Sequence, residues 1–366
     1  MKIPSFAPIP AGLPATVPFT GPETLQRRRG RDFAARLGAN ENGFGPSPMA
    51  VAAMADEAAL AWQYGDSSSH TLRYALADHL DVAPENLVIG EGVDGLLGLL
   101  VRLMISPGDA VVTSDGAYPT FNYHVAGFGG LLHKVPYRDD AEDPQALVRR
   151  AHQVGARLVY LANPDNPMGS WHPGHVIQAM LDDLPPNCLL LLDEAYVEFA
   201  PEDAVPQIAA DDPRVIRMRT FSKAYGLAGL RIGYAIGHPD LIAGFERIRN
   251  HFGVNRIAQA AALAALQDQG WLADVIADVA AARDRIGIIA RANGMTPLPS
   301  ATNFVALDTG RDGDFARSIV AGLEDEGVFI RMPGVAPLDR CIRISCAPAA
   351  ELDVLAEALP RVLARL

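Results

Sequence analysis

The chain has 366 residues, 49% of them hydrophobic and 20% charged, with 43 acidic against 31 basic side chains and a net charge of −12. That length fits two globular domains, and an acidic balance without any long basic run argues against nucleic acid and anionic membranes as partners. The start, MKIPSFAPIPAGLPATVPF, is broken by prolines and offers no signal peptide. No run of about 18 apolar residues is present to span a membrane. Cys188, Cys341 and Cys346 have neither CxxC spacing nor a metal-ligand pattern, so core thiols, no metal and a cytoplasmic location are expected.

Residues 1–38, rich in proline and arginine, read as an extended N-terminal arm lying across another domain or a partner subunit. Ser47-Pro48 is a hydroxyl cap with proline at the first helical position, opening an alanine-rich run to Trp62. Residues 93–105 carry leucine and methionine at helical spacing. Segments 86–89, 110–113, 131–135, 158–162, 189–192, 215–218 and 232–236 read as buried strands, most of them separated by helical or turn segments. This pattern predicts an α/β fold, a large domain at 39–255 whose mostly parallel sheet is covered on both faces. After 255 come two alanine-rich helices (255–267 and 269–292), sparser strands at 303–307 and 341–345, and a last helix to Leu366. That change predicts a smaller α+β domain at 256–366, joined by the arm.

Gly90-Glu91-Gly92-Val93-Asp94-Gly95 is a GxGxxG between a strand and a helix, with Asp115 placed as a ribose acid 20 residues beyond Gly95. The motif leaves three readings open: a dinucleotide, another phosphate, or a tight turn. Glycines let backbone approach an anion, and a helix N-terminus attracts any phosphate. A second cluster favours the phosphate. Thr220-Phe221-Ser222-Lys223 follows a strand, and Arg231 comes eight residues after the lysine. A lone lysine is nearly always solvated, but this one stands among hydroxyls and close-packing glycines, a setting suited to imine chemistry. Thr220, Ser222 and Arg231 supply phosphate donors.

Asp193 ends a buried strand and needs a partner. A cap or salt bridge serves, and so does a pyridinium nitrogen. Tyr196 and Asn166, the latter in a proline-shaped turn at 163–169, are placed to reach a ring hydroxyl.

Together these residues resemble the fold-type I aminotransferases, which depend on pyridoxal phosphate (PLP), and most closely their histidinol-phosphate aminotransferase branch. The matching blocks are 39–48 (ANENGFGPSP), 163–169, Asp193-Glu194-Ala195-Tyr196, 219–234 (RTFSKAYGLAGLRIGY) and Thr302-Asn303-Phe304. The resemblance implies that Lys223 carries PLP as an imine and shuttles the substrate proton, and that Asp193 pairs with the ring nitrogen. It implies that Asn166 and Tyr196 bind the ring oxygen, and that Gly92, Val93, Asp94, Thr220, Ser222 and Arg231 hold the phosphate. It places Phe121 stacked on the ring, and Tyr64 lent across a homodimer to the neighbouring subunit's cofactor. Arg343 is implied to bind the substrate α-carboxylate, with Arg331 and Asn42 as further substrate contacts. The implied activity is amino transfer from histidinol phosphate to 2-oxoglutarate. The sequence departs from the branch at Gly65, Val93, Gly95 and Phe121, and the arm contains no tyrosine. Those departures keep an aromatic or other amino-acid aminotransferase in view, with a threonine-phosphate-type decarboxylase beside it. A nicotinamide oxidoreductase leaves Lys223, Asp193 and Arg231 unexplained. A regulatory binding module lacks a DNA-binding extension.

Overall fold

The computed structural model describes residues 4–15 and 19–366. A two-residue strand, β1 (Ala35–Arg36), comes first. Seven strands then build the main sheet: β2 (Leu87–Gly90), β3 (Ala110–Ser114), β4 (Leu131–Val135), β5 (Leu158–Ala162), β6 (Leu189–Asp193), β7 (Val215–Thr220) and β8 (Gly233–Gly237). Their order is β2-β8-β7-β6-β5-β3-β4. Neighbours from β7 to β4 are parallel, and β8 runs antiparallel to both β7 and β2. The mostly parallel sheet expected from the chain pattern is therefore present.

Both faces of the central strands are covered, which is why they are continuously apolar. Every residue of β5 (LVYLA) and β6 (LLLLD) is buried. Period-two alternation sorts their side chains. Tyr160 and Leu191 meet Leu96, Leu100 and Phe121 from the helices Gly92–Met104 and Pro119–Gly127. Val159, Leu161, Leu190 and Leu192 meet Leu147 and Ile177 from Pro144–Val154 and Gly174–Asp182. Each fully buried leucine contributes about 1.5–3 kcal/mol. Of these four helices Gly92–Met104 is the run expected at 93–105, and the three shorter ones lie outside the predicted runs.

Farther along, β9 (Thr296–Pro297), β10 (Phe304–Asp308) and β12 (Cys341–Ser345) form an antiparallel sheet, and β11 (Val328–Phe329) pairs in parallel with β1. The helices Arg256–Gln267 and Gln269–Ala292 meet at Asp268, whose carboxylate accepts from Trp271 N–H at 3.2 Å and caps the second. The first packs against Pro48–Ala58 and His70–Leu80, so the change of pattern after residue 255 does not separate it from what precedes it.

Two expectations are corrected. The alanine-rich helix starts at the expected Ser47 cap but stops at Ala58, short of Trp62. The N-terminal arm is not extended throughout: Pro22 starts a helix that runs to Arg29 and closes on Gly30 in the left-handed region, φ +70°. Proline at a first turn and glycine just past a last one are helix punctuation, and a proline-rich composition concealed them.

Candidate active site

The strands β5, β6 and β7 end at Ala162, Asp193 and Thr220, and a cavity of about 260 Å³ opens beyond these carboxyl ends. Open α/β sheets bind ligands at this edge. Lys223 stands three residues past the end of β7, and its Nζ donates to the Asn40 carbonyl at 3.0 Å. The following turn holds Gly226 at φ +71°, where a Cβ would come within 2.6 Å of the Gly45 carbonyl oxygen. That close approach ties the lysine loop to the 39–48 segment.

One end of the cavity is suited to a phosphate. Gly92 opens the helix at φ +75°, a conformation that favours glycine, and a Cβ there would sit 2.8 Å from Arg231 Nη2 and displace the guanidinium. Glu91 makes no side-chain cap, which leaves the first-turn N–H groups for an anion. Val93, Asp94, Thr220, Ser222 and Arg231 line the same cavity. Arg231 Nη1 reaches Ser222 Oγ at 3.4 Å and Nη2 reaches Asp94 Oδ2 at 3.3 Å.

In the middle lies Asp193, whose carboxylate accepts from Tyr160 O–H at 2.8 Å and from Ala195 N–H at 3.0 Å. Burial raises its pKa to about 6 against the pull of these two bonds. Glu194 faces the other way, bound to Arg217 and Arg219 at 2.9 and 2.8 Å, and those cations hold its carboxyl below the usual range despite burial. Tyr196 accepts from Asn40 Nδ2 at 3.0 Å, so its own hydroxyl hydrogen is free to be donated.

The far end is cationic. Arg343 Nη1 donates to Asn166 Oδ1, which leaves the Asn166 amide nitrogen as a donor. The guanidinium lies 5.1 Å from the Phe304 ring centroid, and its Nε is buried without a partner. Desolvation lowers Arg343 to about 10. Arg331 donates to the Thr20 carbonyl at 2.8 Å and sits between Phe19 and Phe329, 5.6 and 5.5 Å from their centroids. Burial lowers its pKa as well.

Three placements differ from expectation, those of Phe121, Asn42 and Asp115. Phe121 is fully buried against Tyr160 at 4.8 Å, and Tyr118 is the aromatic that lines the cavity. Tyr118 caps the helix at Pro119, whereas Phe121 falls one turn inside and faces the core. Asn42 is a loop brace, donating to the Ala224 carbonyl at 3.0 Å and accepting from Phe44 N–H, while Asn40 lines the cavity. Tyr64, expected to serve a neighbouring subunit, is 77% exposed and stacks on Phe252 at 4.6 Å, away from this chain's own cavity. Asp115 pairs with Lys134 at 3.0 Å and takes no part in the pocket. The sequence also passed over Phe19, Tyr118 and Tyr160. The one available signal was a phenol in an otherwise aliphatic strand, Tyr160, beside a strand ending in aspartate. Among the described residues no group of His, Cys, Asp and Glu is arranged to hold a metal ion.

Two further carboxyls lie buried beneath the site. Glu142 accepts from Ser114 O–H at 2.5 Å and Ala162 N–H at 2.9 Å. Asp165 accepts from Tyr137 O–H at 2.8 Å and Met168 N–H at 3.1 Å. Burial raises both, helped by repulsion from Asp165 at Glu142 and from Asp193 at Asp165, which is pushed up to about 7. An acid whose folded pKa lies above its unfolded value of 3.8 keeps its proton in the folded state while the unfolded chain has lost it. Stability therefore falls as pH rises from about 4 to about 7 and stays low above that. Asp165→Asn is expected to melt like the parent apoprotein near pH 4 and to be more stable by up to about 4 kcal/mol at pH 8. Thermal melts across that range check this, and parallel curves would refute it.

The family model "Aminotransferase class I and II" matches residues 35–359. The histidinol-phosphate aminotransferase of an Anaeromyxobacter species is 35% identical over 366 residues, covering 99% of this chain and 100% of that protein. That of Moorella thermoacetica is 34% identical, covering 95% of this chain and 90% of its own length. A crystal structure of histidinol-phosphate aminotransferase from Sinorhizobium meliloti, in complex with pyridoxal-5'-phosphate, is 56% identical with a TM-score of 0.97, over 100% of this chain and 99% of that one. With the fold, the cavity and these likenesses in agreement, the chain belongs to the class I and II aminotransferase family.

Proposed function

We propose that this aminotransferase binds PLP at Lys223 and moves the amino group of histidinol phosphate to 2-oxoglutarate. The observation that carries the proposal is the spacing of chemistry along one cavity. A phosphate-suited cup (Gly92, Ser222, Arg231), a buried carboxylate (Asp193) and an amine (Lys223) are followed by two arginines with buried surface, Arg343 and Arg331. The donor set fits the cofactor. Gly92 leaves a cradle that a Cβ would fill, Asp193 suits a protonated ring nitrogen, and the free donors of Asn166 and Tyr196 suit a phenolic oxygen.

When bound, PLP supplies an electron sink for negative charge at the substrate α-carbon. Lys223 Nζ, held by the Asn40 carbonyl, takes the proton from that carbon. Asp193 keeps a positive charge on the ring nitrogen favourable. Arg343 orients the substrate's anionic group with a planar pair of donors, and Asn166 aims the guanidinium. Arg331, held by the Thr20 carbonyl and flanked by rings, offers a second cation for a phosphate-bearing donor. The substrate assignment is also supported by relatives that carry this activity in their names and match nearly the whole chain.

Turnover with 2-oxoglutarate and a panel of donors tests the proposal. The panel holds histidinol phosphate and the aromatic amino acids. Histidinol phosphate is expected to react fastest. Faster reaction of an aromatic amino acid would reassign the substrate, and release of carbon dioxide would reassign the reaction.

We further propose a homodimer in which Tyr64 reaches the neighbouring site. Trp62 at 81%, Tyr64 at 77% and Phe252 at 53% exposure leave aromatic surface bare on one chain, and Tyr64 is remote from its own cavity. Sedimentation at the mass of one chain would contradict the dimer. A cytoplasmic location is supported by three free, buried cysteines, and no described helix is long and apolar enough to cross a membrane.

A further inference from the structure

In the register of the main sheet Ala162 lies opposite Asp193, and Tyr160 lies opposite Leu191. Tyr160 and Ala162 share a face, as do Leu191 and Asp193, because successive side chains alternate. The small Ala162 leaves room for Tyr160, diagonal to the aspartate, to reach past it. Tyr160 is fully buried, its ring lies against Phe121 with 21° between planes, and its hydroxyl meets Asp193 Oδ2 at 2.8 Å. The second carboxylate oxygen takes the Ala195 N–H. One donor on each oxygen fixes the plane of the carboxylate.

The surroundings give this bond its importance. Asp94 on the Gly92–Met104 helix lies near Asp193, Glu194 is its chain neighbour although its side chain turns away to Arg217 and Arg219, and Glu142 and Asp165 approach from beneath. All four are acids and disfavour a negative Asp193. The cations Lys223, Arg231 and Arg343 line the cavity, yet none of them hydrogen-bonds to the aspartate. Among the described residues Tyr160 is the one side chain that donates to Asp193. Burial raises the aspartate's pKa, and the phenol works against that rise.

Taking Asp193 as the partner of the PLP ring nitrogen, we propose that Tyr160 is a positioning residue, its hydroxyl holding the Asp193 carboxylate ionised and aimed at that nitrogen. The strand and the Phe121 stack place the phenol before any ligand arrives, so the carboxylate needs no reorganisation on binding. A purely structural Tyr160 would support the cavity whatever the ring contains.

The distinguishing experiment compares two ligands on stripped apoprotein: PLP, and its carbocyclic analogue with C–H in place of the ring nitrogen. Tyr160→Phe is expected to weaken PLP roughly tenfold, while the affinity for the analogue changes by less than about twofold. The kcat with histidinol phosphate should fall and KM should stay near the parent value. Adding Tyr160→Phe to Asp193→Asn should cost nothing more, because the phenol acts only through the carboxylate. Equal weakening of both ligands, or of neither, would overturn the proposal. Should Tyr160→Phe melt below the assay temperature, Tyr160→His, which keeps a ring and a donor, is expected to retain the preference for PLP, and loss of that preference there would overturn it too. Failure of the parent chain to bind PLP strikes the proposed function instead, so the two failures are told apart.

Discussion

Lys223→Ala is expected to lower amino transfer by about a thousandfold or more while PLP still binds without a covalent bond. Positioned proton transfer alone contributes about 10²–10⁴-fold, and the covalent attachment is lost as well. Binding persists because the lysine contributes nothing to the phosphate cup: the Gly92 turn, Ser222 and Arg231 are held by one another and by Asp94. Asp193 likewise keeps both its donors. The fold should survive, since Nζ makes a single bond, to the Asn40 carbonyl, and Asn303 Nδ2 also donates to that oxygen at 3.1 Å. Single-turnover kinetics and equilibrium dialysis of PLP check the two halves separately. Retained turnover would remove the lysine from the chemistry, and complete loss of PLP would show that the cup is inadequate alone.

Arg343→Ala is expected to cut kcat/KM for glutamate roughly a hundredfold, or about 3 kcal/mol of charge-assisted bonding to the carboxylate. An amine substrate without any anionic group should lose far less. Stability should move the other way or not at all. Arg343 holds a charge in a partly buried wall, its Nε has no partner, and desolvation lowers its pKa to about 10. A cation kept under such conditions costs the fold and serves a ligand. Steady-state kinetics with the two substrate types, beside a melting curve, check the prediction. Equal losses with both types would show that the arginine supports the cavity as a whole and does not read the carboxylate.

Burial on both faces leaves an unbroken apolar mark, and 158–162 is a strand with the predicted ends for that reason. The ends of 131–135 and 341–345 also fall as predicted, although the first is an edge strand with Leu131 54% exposed and the second carries Arg343. Helix 269–292 was equally plain from its length. Ends set by polar geometry were less visible. Asp193 belongs to β6 and Thr220 to β7, since a strand pairs on past its last apolar residue. In the cavity, Lys223, Asp193, Asn166 and Arg231 lay in sequence blocks distinctive enough to locate. The aromatic wall did not, because Tyr118 and Phe121 differ only by one turn of helix, and which of them faces the ligand is decided by the cap at Pro119. Asn40 and Asn42 present the same difficulty: two amides two residues apart, one in the left-handed region at φ 53° and lining the cavity, the other bracing a loop. Phe19 and Thr20 meet Arg331 across 311 residues of chain, a contact that no local pattern announces.

The central assignment, an imine-forming lysine at 223, is tested most directly by the absorbance spectrum of the purified chain with PLP, before and after histidinol phosphate is added. The predicted result is a yellow lysine-bound band that bleaches on addition of the donor and that never develops in Lys223→Ala. A chain that takes up no PLP, or a variant whose band matches the parent's, would contradict the assignment and return attention to the glycine turn at 90–95 as a site for some other phosphate.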